Sequence, residues 1–147
     1  MAQFGRPESD KLVQGWTTAG NSANNLWEEI NEVSFNDVDY IRSPQSPANN
    51  VYVCKFSNMV DPSSNASHTM RWRAGKDVDA GSETIDMIAG LYINYNNEVS
   101  KGTEIFSQNN NNLAYGFTNF SHALSAGEAD SITDYNNCFG RFLMNKV

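Results

Sequence analysis

Apolar and polar positions alternate along much of the chain with the period of two that is typical of β-strands. Between residues 68 and 73, Met70 and Trp72 fall on one face of such a strand, and Arg71 and Arg73 fall on the other. The pattern predicts short strands throughout the chain. The clearest lie in residues 15–18, 51–57, 68–73, 84–95, 99–106, 113–122 and 138–145.

Clusters of Asn, Gly, Ser and Pro separate the predicted strands and read as turns, because Asn tolerates left-handed backbone and Ser bonds to nearby backbone groups. Many short strands joined by such turns predict an all-β fold, an antiparallel β-sandwich of jelly-roll-like kind. A length of 147 residues fits one domain over 1–147. Residues 1–15 are polar, and we expect them to form an extended N-terminal arm.

Two short helices are expected among the strands. Asn24 or Asn25 can cap the first one, and Ser125 with Glu128 has the spacing of a capping box at the start of the second. The apolar positions at one-turn spacing in the first helix are Leu26, Trp27 and Ile30.

The composition narrows the classes of partner. Charged residues are only 18%, whereas the chain contains 20 Asn and 15 Ser, and the net charge is −7 with ten Lys and Arg. A nucleic-acid partner is not expected at this charge. No apolar stretch approaches the ~20 residues of a membrane helix, and the N-terminal residues lack the layout of a signal peptide, so no membrane partner is expected either.

The side chains that could act in catalysis or bind a metal form no recognisable catalytic set. His68 and His122 are far apart and read as strand residues with ordinary packing. Carboxylates alternate in 37–39 and 77–83, where either a calcium loop or a solvated turn is possible. Cys54 and Cys138 are expected to be buried thiols rather than a disulfide. We therefore expect no enzyme activity, no catalytic residue, no metal and no cofactor.

Two further groups of residues each leave two interpretations. Arg71, Arg73 and Lys76 form the basic cluster of the sequence, either as a patch for an acidic partner surface or as partners of the chain's own carboxylates. The three tryptophans could stack on sugars, but their positions in apolar patterns favour core packing. They are Trp16, Trp27 and Trp72.

Short sequence motifs occur in a characteristic order over most of the chain. They are Arg6-Pro7, Asp10, Gly15-Trp16-Thr17-Thr18, Leu26-Trp27, Ile30-Asn31-Glu32, Asp39-Tyr40-Ile41, Asp61-Pro62, Arg71-Trp72-Arg73-Ala74-Gly75-Lys76 and Leu124-Ser125 followed by Glu128-Ala129-Asp130-Ser131-Ile132-Thr133-Asp134-Tyr135. This series resembles a β-sandwich domain of small virion proteins of tailed bacteriophages, the capsid decoration or cement proteins, many of them from cyanobacterial and marine hosts.

The resemblance implies a structural protein on the capsid surface of the virion, made in the host cytoplasm. Its partner would be the major capsid protein lattice, whose outer surface it would bind to stabilise the head. The resemblance also implies a homo-oligomer, with a trimer favoured over a dimer because capsid lattices have threefold sites. The N-terminal arm would reach across subunit boundaries, and the expected partner-binding residues are Phe4, Arg6, Arg71, Arg73 and Lys76.

Two alternatives to capsid decoration follow from the same features. A tail- or fibre-associated module that recognises cell-surface glycans would need exposed aromatic rings. A fibre would also be expected to contain coiled-coil heptads or a repetitive β-shaft, and the sequence contains neither. A glycan hydrolase would need a pair of carboxylates facing a cleft, and no such pair is evident from the sequence.

Overall fold

The computed structural model of the chain describes residues 3–77 and 82–147, and its secondary structure is mostly β. One 3₁₀ helix (Leu26–Ile30) and one short α-helix, α1 (Ala126–Asp130), interrupt the strands. Neither of these helices, the two found in residues 3–77 and 82–147, could span a membrane. The strands are β1 (Pro7–Val13), β2 (Thr17–Thr18), β3 (Ile41–Arg42), β4 (Asn50–Phe56), β5 (Thr69–Ala74), β6 (Ile85–Ile93), β7 (Thr103–Asn110), β8 (Thr118–Ala123) and β9 (Cys138–Lys146).

The strands pair in three antiparallel groups. Five of them form one sheet in the order β1-β4-β9-β6-β7, with β9 at its centre between β4 and β6. The other two groups are the pairs β2–β3 and β5–β8. The prediction of an antiparallel all-β fold is confirmed at this level.

The main core lies on one face of the five-stranded sheet and is covered at two places. The Trp16 ring lies 5.9 Å from the ring of Tyr52 in β4, next to the 3₁₀ helix. The Trp72 ring of β5 stacks 6.5 Å from Phe106 of β7 and 6.0 Å from Phe120 of β8. The β5–β8 pair is therefore held over the β7 side of the sheet by aromatic contacts.

A second apolar cluster on the opposite face of the sheet surrounds an ion pair. Arg141 is 6% exposed, and its Nε and Nη2 donate to the Glu98 carboxylate at 2.9 and 2.6 Å. The Tyr95 hydroxyl donates to the same carboxylate at 2.8 Å. Hydrogen bonds from Arg141 lower the pKa of Glu98 to about 2. The buried apolar residues of this cluster are Val51, Val53, Tyr92, Tyr95 and Phe139.

The predicted N-terminal arm is extended, but much of it is already paired within the chain. Residues 7–13 form β1, which runs along β4 at the edge of the sheet. Upstream, the N–H of Ser57 donates to the carbonyl of Arg6 at 2.7 Å, and the N–H of Val60 donates to the Gln3 side chain at 2.8 Å. Over residues 7–13, this corrects the expectation of an arm that reaches across subunit boundaries. The sequence did not indicate the pairing of β1 with β4, because an edge strand is largely polar and its partner is distant in sequence.

The first predicted helix is a single 3₁₀ turn whose cap comes from β1. Asn25 has φ 55° and makes no side-chain cap hydrogen bond. The N–H groups of Leu26 and Trp27 donate instead to the Asp10 carboxylate, at 2.8 and 2.9 Å. The Tyr52 hydroxyl donates to the same carboxylate at 2.8 Å. The predicted short helix is a 3₁₀ helix, and the predicted Asn cap was wrong, because Asp10, which is distant in sequence, satisfies the free N–H groups.

The second predicted helix is α1, with the capping box that its sequence indicates. The N–H of Glu128 donates to Ser125 Oγ at 3.3 Å, and the N–H of Ser125 donates to the Glu128 carboxylate at 2.7 Å. Ala129 and Ile132 are buried, as the apolar pattern predicts. Only one of the two predicted helices is therefore α-helical.

Cys54 and Cys138 are buried free thiols, which confirms the prediction. Burial raises the pKa of Cys54 to about 12 and that of Cys138 to about 11. Both thiols are therefore protonated at neutral pH, and the thiolate that would act as a nucleophile is scarce.

Candidate partner-binding face

The outward side of the β5–β8 pair is polar and carries two of the arginines singled out by sequence. Alternation along β5 buries Met70, Trp72 and Ala74 and turns the arginines outward. The register sets Arg71 opposite Ser121 and Arg73 opposite Asn119. We call this surface, together with the 33–39 loop that lies against it, the β5–β8 face.

Arg73 ties the 33–39 loop to β5. Its Nε and Nη2 donate to the two Asp37 carboxylate oxygens at 2.7 and 2.6 Å, and its Nη1 donates to Asn119 Oδ1 at 2.8 Å. Its guanidinium also lies 5.8 Å from the ring centroid of Phe35 and 5.7 Å from that of Phe117. Hydrogen bonding from Arg73 holds the pKa of Asp37 below its usual range. The loop is thus positioned by a bidentate ion pair within the chain.

Arg71 has a different environment, although it lies only two residues before Arg73. It borders an open pocket of about 270 Å³, whose other lining residues are Phe35, Asn119, Phe120 and Ser121. Within residues 3–77 and 82–147, no carboxylate pairs with Arg71. The β5–β8 face therefore presents one arginine that is already paired and one that is available.

The 33–39 loop adds apolar surface to the same face. Val33 is 81% exposed, Phe35 is 58% exposed and Val38 is 76% exposed. Singly exposed apolar side chains are ordinary on protein surfaces, so the one that bears on this face is Phe35, which lines the pocket beside Arg71. These residues were not predicted as part of a site, although apolar residues that fit neither a strand nor a helix period in a polar segment were a visible signal.

The basic cluster predicted from sequence is only partly a single patch. Arg71 and Arg73 share one face of β5, as predicted, but Arg73 is paired with the chain's own Asp37. Lys76 lies beyond the end of β5, where its Nζ donates to the carbonyl of Glu83 at 2.9 Å and lies 4.7 Å from the ring of Tyr115. Of the three cations, Arg71 is the one best placed for a partner.

The predicted anchors Phe4 and Arg6 lie elsewhere, beside the β1 edge of the five-stranded sheet. Phe4 is 68% exposed, and the Arg6 guanidinium lies 5.9 Å from its ring centroid. The backbone of Arg6 pairs with Ser57 just after β4. The structure thus separates these two residues from the β5–β8 face, which packs near the opposite edge.

The two histidines make structural contacts. His68 is hydrogen-bonded through Nε2 to the Tyr135 hydroxyl at 2.8 Å. The His122 ring stacks 4.0 Å from Phe106, and its Nε2 lies 3.2 Å from both oxygens of Glu128. These contacts agree with the packing interpretation of both histidines.

Neither acidic segment forms a recognisable cation site where the structure describes it. Asp37 is paired with Arg73, and Asp39 accepts a hydrogen bond from Asn36 at 2.6 Å. Most of the 77–83 segment, including Asp79, lies outside the described residues. Among the described residues, no group of His, Cys, Asp or Glu is arranged to hold a metal ion.

The tryptophans pack as their sequence patterns favour. Trp16 is buried with its ring tilted against that of Tyr52, Trp72 is buried and stacked on Phe106, and Trp27 is half-buried in the 3₁₀ helix. The first two rings are therefore inaccessible to a sugar ligand in this conformation.

Comparison with known proteins finds no matching family model, no similar curated protein and no similar solved structure.

Proposed function

We propose that this chain is a structural, non-enzymatic virion protein, a capsid decoration (cement) protein of a tailed bacteriophage. In this proposal it binds the outer surface of the major capsid protein lattice and stabilises the head. The series of short sequence motifs that resembles those of small phage virion proteins supports the capsid assignment. The β5–β8 pair, packed over the five-stranded sheet through Trp72 and Phe106, would then be the second layer of a jelly-roll-like β-sandwich.

The observation that carries the docking part of the proposal is the exposed apolar loop beside an available arginine. Phe35 is 58% exposed and lines the same pocket as Arg71, and Val33 and Val38 are exposed on the same loop. Aromatic residues and arginine are the types that dominate the binding energy of protein interfaces. Burying one Phe side chain stabilises an interface by about 1.5–3 kcal/mol. The β5–β8 face therefore supports a role in binding another protein better than a role in catalysis.

Docking on a capsid lattice would engage more than one contact at a time. The β5–β8 face provides the main contact in this proposal, and Phe4 with Arg6 provides a second one near the β1 edge. A homo-oligomer, a trimer in preference to a dimer, would multiply these contacts and raise avidity without adding new ones per subunit. The low share of charged residues, 18%, suits a protein that must pack at high local density.

A tail- or fibre-associated receptor or glycan-binding module is the second candidate. It draws support from Phe35, whose ring is 58% exposed and of the kind that stacks on sugars. The burial of Trp16 and Trp72 weighs against it, because these large rings are the stronger sugar platforms.

The proposal is tested by co-sedimentation of the purified protein with heads of the phage that encodes it. Replacing Phe35 with Ser should weaken head binding about tenfold, because one buried aromatic contact is lost. Val99→Ser is the matched control, since Val99 is 99% exposed and lies outside the β5–β8 face. Equal binding by wild type and Phe35→Ser would contradict docking through this face. Failure of the wild type to bind heads, together with specific hits on a glycan array, would favour the second candidate.

A further inference from the structure

Arg71 and Arg73 occupy successive outward positions of β5 but differ in what they bind. Arg73 holds the Asp37 carboxylate with two parallel hydrogen bonds of 2.7 and 2.6 Å. Arg71 has no hydrogen-bond acceptor and no carboxylate partner among the described residues. Arg73, which lies two residues from Arg71 on the same strand, therefore shows the bidentate carboxylate pair that an arginine on this face forms.

The neighbours of Arg71 add further hydrogen-bond donors. Asn119 lines the same pocket, and because its Oδ1 accepts from Arg73, its Nδ2 group is the part left to donate. Ser121 lies directly across from Arg71 in the β5–β8 register and supplies a hydroxyl. Phe35 forms an aromatic wall of the pocket. The pocket therefore combines a planar guanidinium, an amide N–H group and a hydroxyl with one apolar side.

We infer that this pocket binds a single carboxylate, contributed by an aspartate or glutamate side chain of a partner protein. Its identification with the capsid protein rests on the proposed function, but the chemistry of the pocket does not. One guanidinium matches the planar, singly charged carboxylate in bidentate geometry. A phosphate, with its greater charge, is usually held by several cations or by backbone N–H groups, and the chain's net charge of −7 disfavours it further.

Carboxylate binding at Arg71 would fix the orientation of a partner on the β5–β8 face. The apolar loop residues are non-directional in their contacts, whereas a bidentate Arg–carboxylate pair admits one geometry. Because the pocket lies between Phe35 and Ser121, the partner carboxylate would enter next to the same loop that Arg73 and Asp37 hold in place.

The inference is tested by NMR titration of the ¹⁵N-labelled protein with N-acetyl-aspartyl-phenylalanine amide, a probe with one carboxylate and one aromatic ring. We expect saturable shifts of the Arg71 side-chain N–H, the Asn119 side-chain amide and the Ser121 backbone N–H. Arg71→Gln should weaken binding at least about fivefold, and Arg71→Lys should give an intermediate loss, because it keeps the charge without the planar fork. Arg42→Gln is the matched control, since Arg42 is an exposed arginine of β3 outside this face.

Three results would overturn the inference. They are equal binding of the probe in which Asn replaces Asp, unchanged binding by Arg71→Gln, and stronger binding of inorganic phosphate than of the Asp probe at the same pocket. The head-binding assay separates the two proposals. If the Asp probe binds at Arg71 but the protein does not bind heads, the carboxylate site stands and the capsid assignment fails. If heads are bound and the probe produces no shifts at Arg71, the reverse holds.

Discussion

Single carboxylates organise the molecule at three places, each through a partner distant in sequence. Asp37 binds Arg73 across 36 positions, and Glu98 binds Arg141 across 43. Asp10 accepts from backbone N–H groups 16 and 17 positions away. The sequence leaves two interpretations of Arg73 open, and the structure supports pairing with the chain's own carboxylate. Local pattern does not contain such pairings, because only the folded chain brings the partners together.

The Glu98–Arg141 pair predicts a pH dependence of stability. The pKa of Glu98 falls from its ordinary 4.5 to about 2 on folding, so its contribution to stability is complete above about pH 4.5 and is lost as the pH falls through about 2. After allowance for the exposed part of the Glu98 side chain, the contribution is about 2 kcal/mol. The free energies of unfolding of wild type and Glu98→Gln should therefore differ by about this amount at pH 6 and converge near pH 2.

Denaturant unfolding at several pH values checks this prediction. Glu8→Gln is a suitable control, because Glu8 pairs with Lys55 at the exposed β1 edge and should change stability little at any pH. A constant difference between wild type and Glu98→Gln from pH 6 to pH 2 would argue against the pairing.

Strands with a regular alternation of apolar and polar residues could be predicted from the sequence, whereas the strands at the sheet edges could not. The predictions for β4, β5, β6 and β9 agree with the structure to within a few residues, because their inward positions are consistently apolar. The prediction of strand at 99–106 began too early, because Asn94 with φ 57° and Gly102 with φ 72° belong to the turn before β7. β1 and the short β3 were missed because polar edge strands carry little periodicity. The candidate face was half predicted, since Arg71 and Arg73 were identified but the 33–39 loop was not.

Asp10 joins β1, the 3₁₀ helix and β4, which makes it a test of how these elements hold together. Asp10→Ala would leave the N–H groups of Leu26 and Trp27 uncapped and the buried Tyr52 hydroxyl without its acceptor. We expect a loss of about 3 kcal/mol in the free energy of unfolding, measured by chemical denaturation. Asp61→Ala is the control, because Asp61 is exposed, and it should change stability by less than about 0.5 kcal/mol. Equal effects of the two substitutions would refute the capping role of Asp10.

The whole molecule combines an acidic, amide-rich surface with one face of different character. The net charge of −7 and the abundance of Asn and Ser describe a chain whose turns are built from amides and hydroxyls. Against that background, the β5–β8 face has exposed apolar residues and an available arginine, and these features favour docking on another protein. The sequence resemblance supports the proposal that this other protein is the major capsid protein.

The proposed function is tested by locating the protein on purified particles of the tailed bacteriophage proposed to encode it, by immunogold labelling and cryo-electron microscopy. We expect gold label distributed over the head, and regularly repeated density on the outer capsid surface with the β5–β8 face toward the major capsid protein. Label confined to the tail or its fibres, or virions that contain none of the protein, would contradict it.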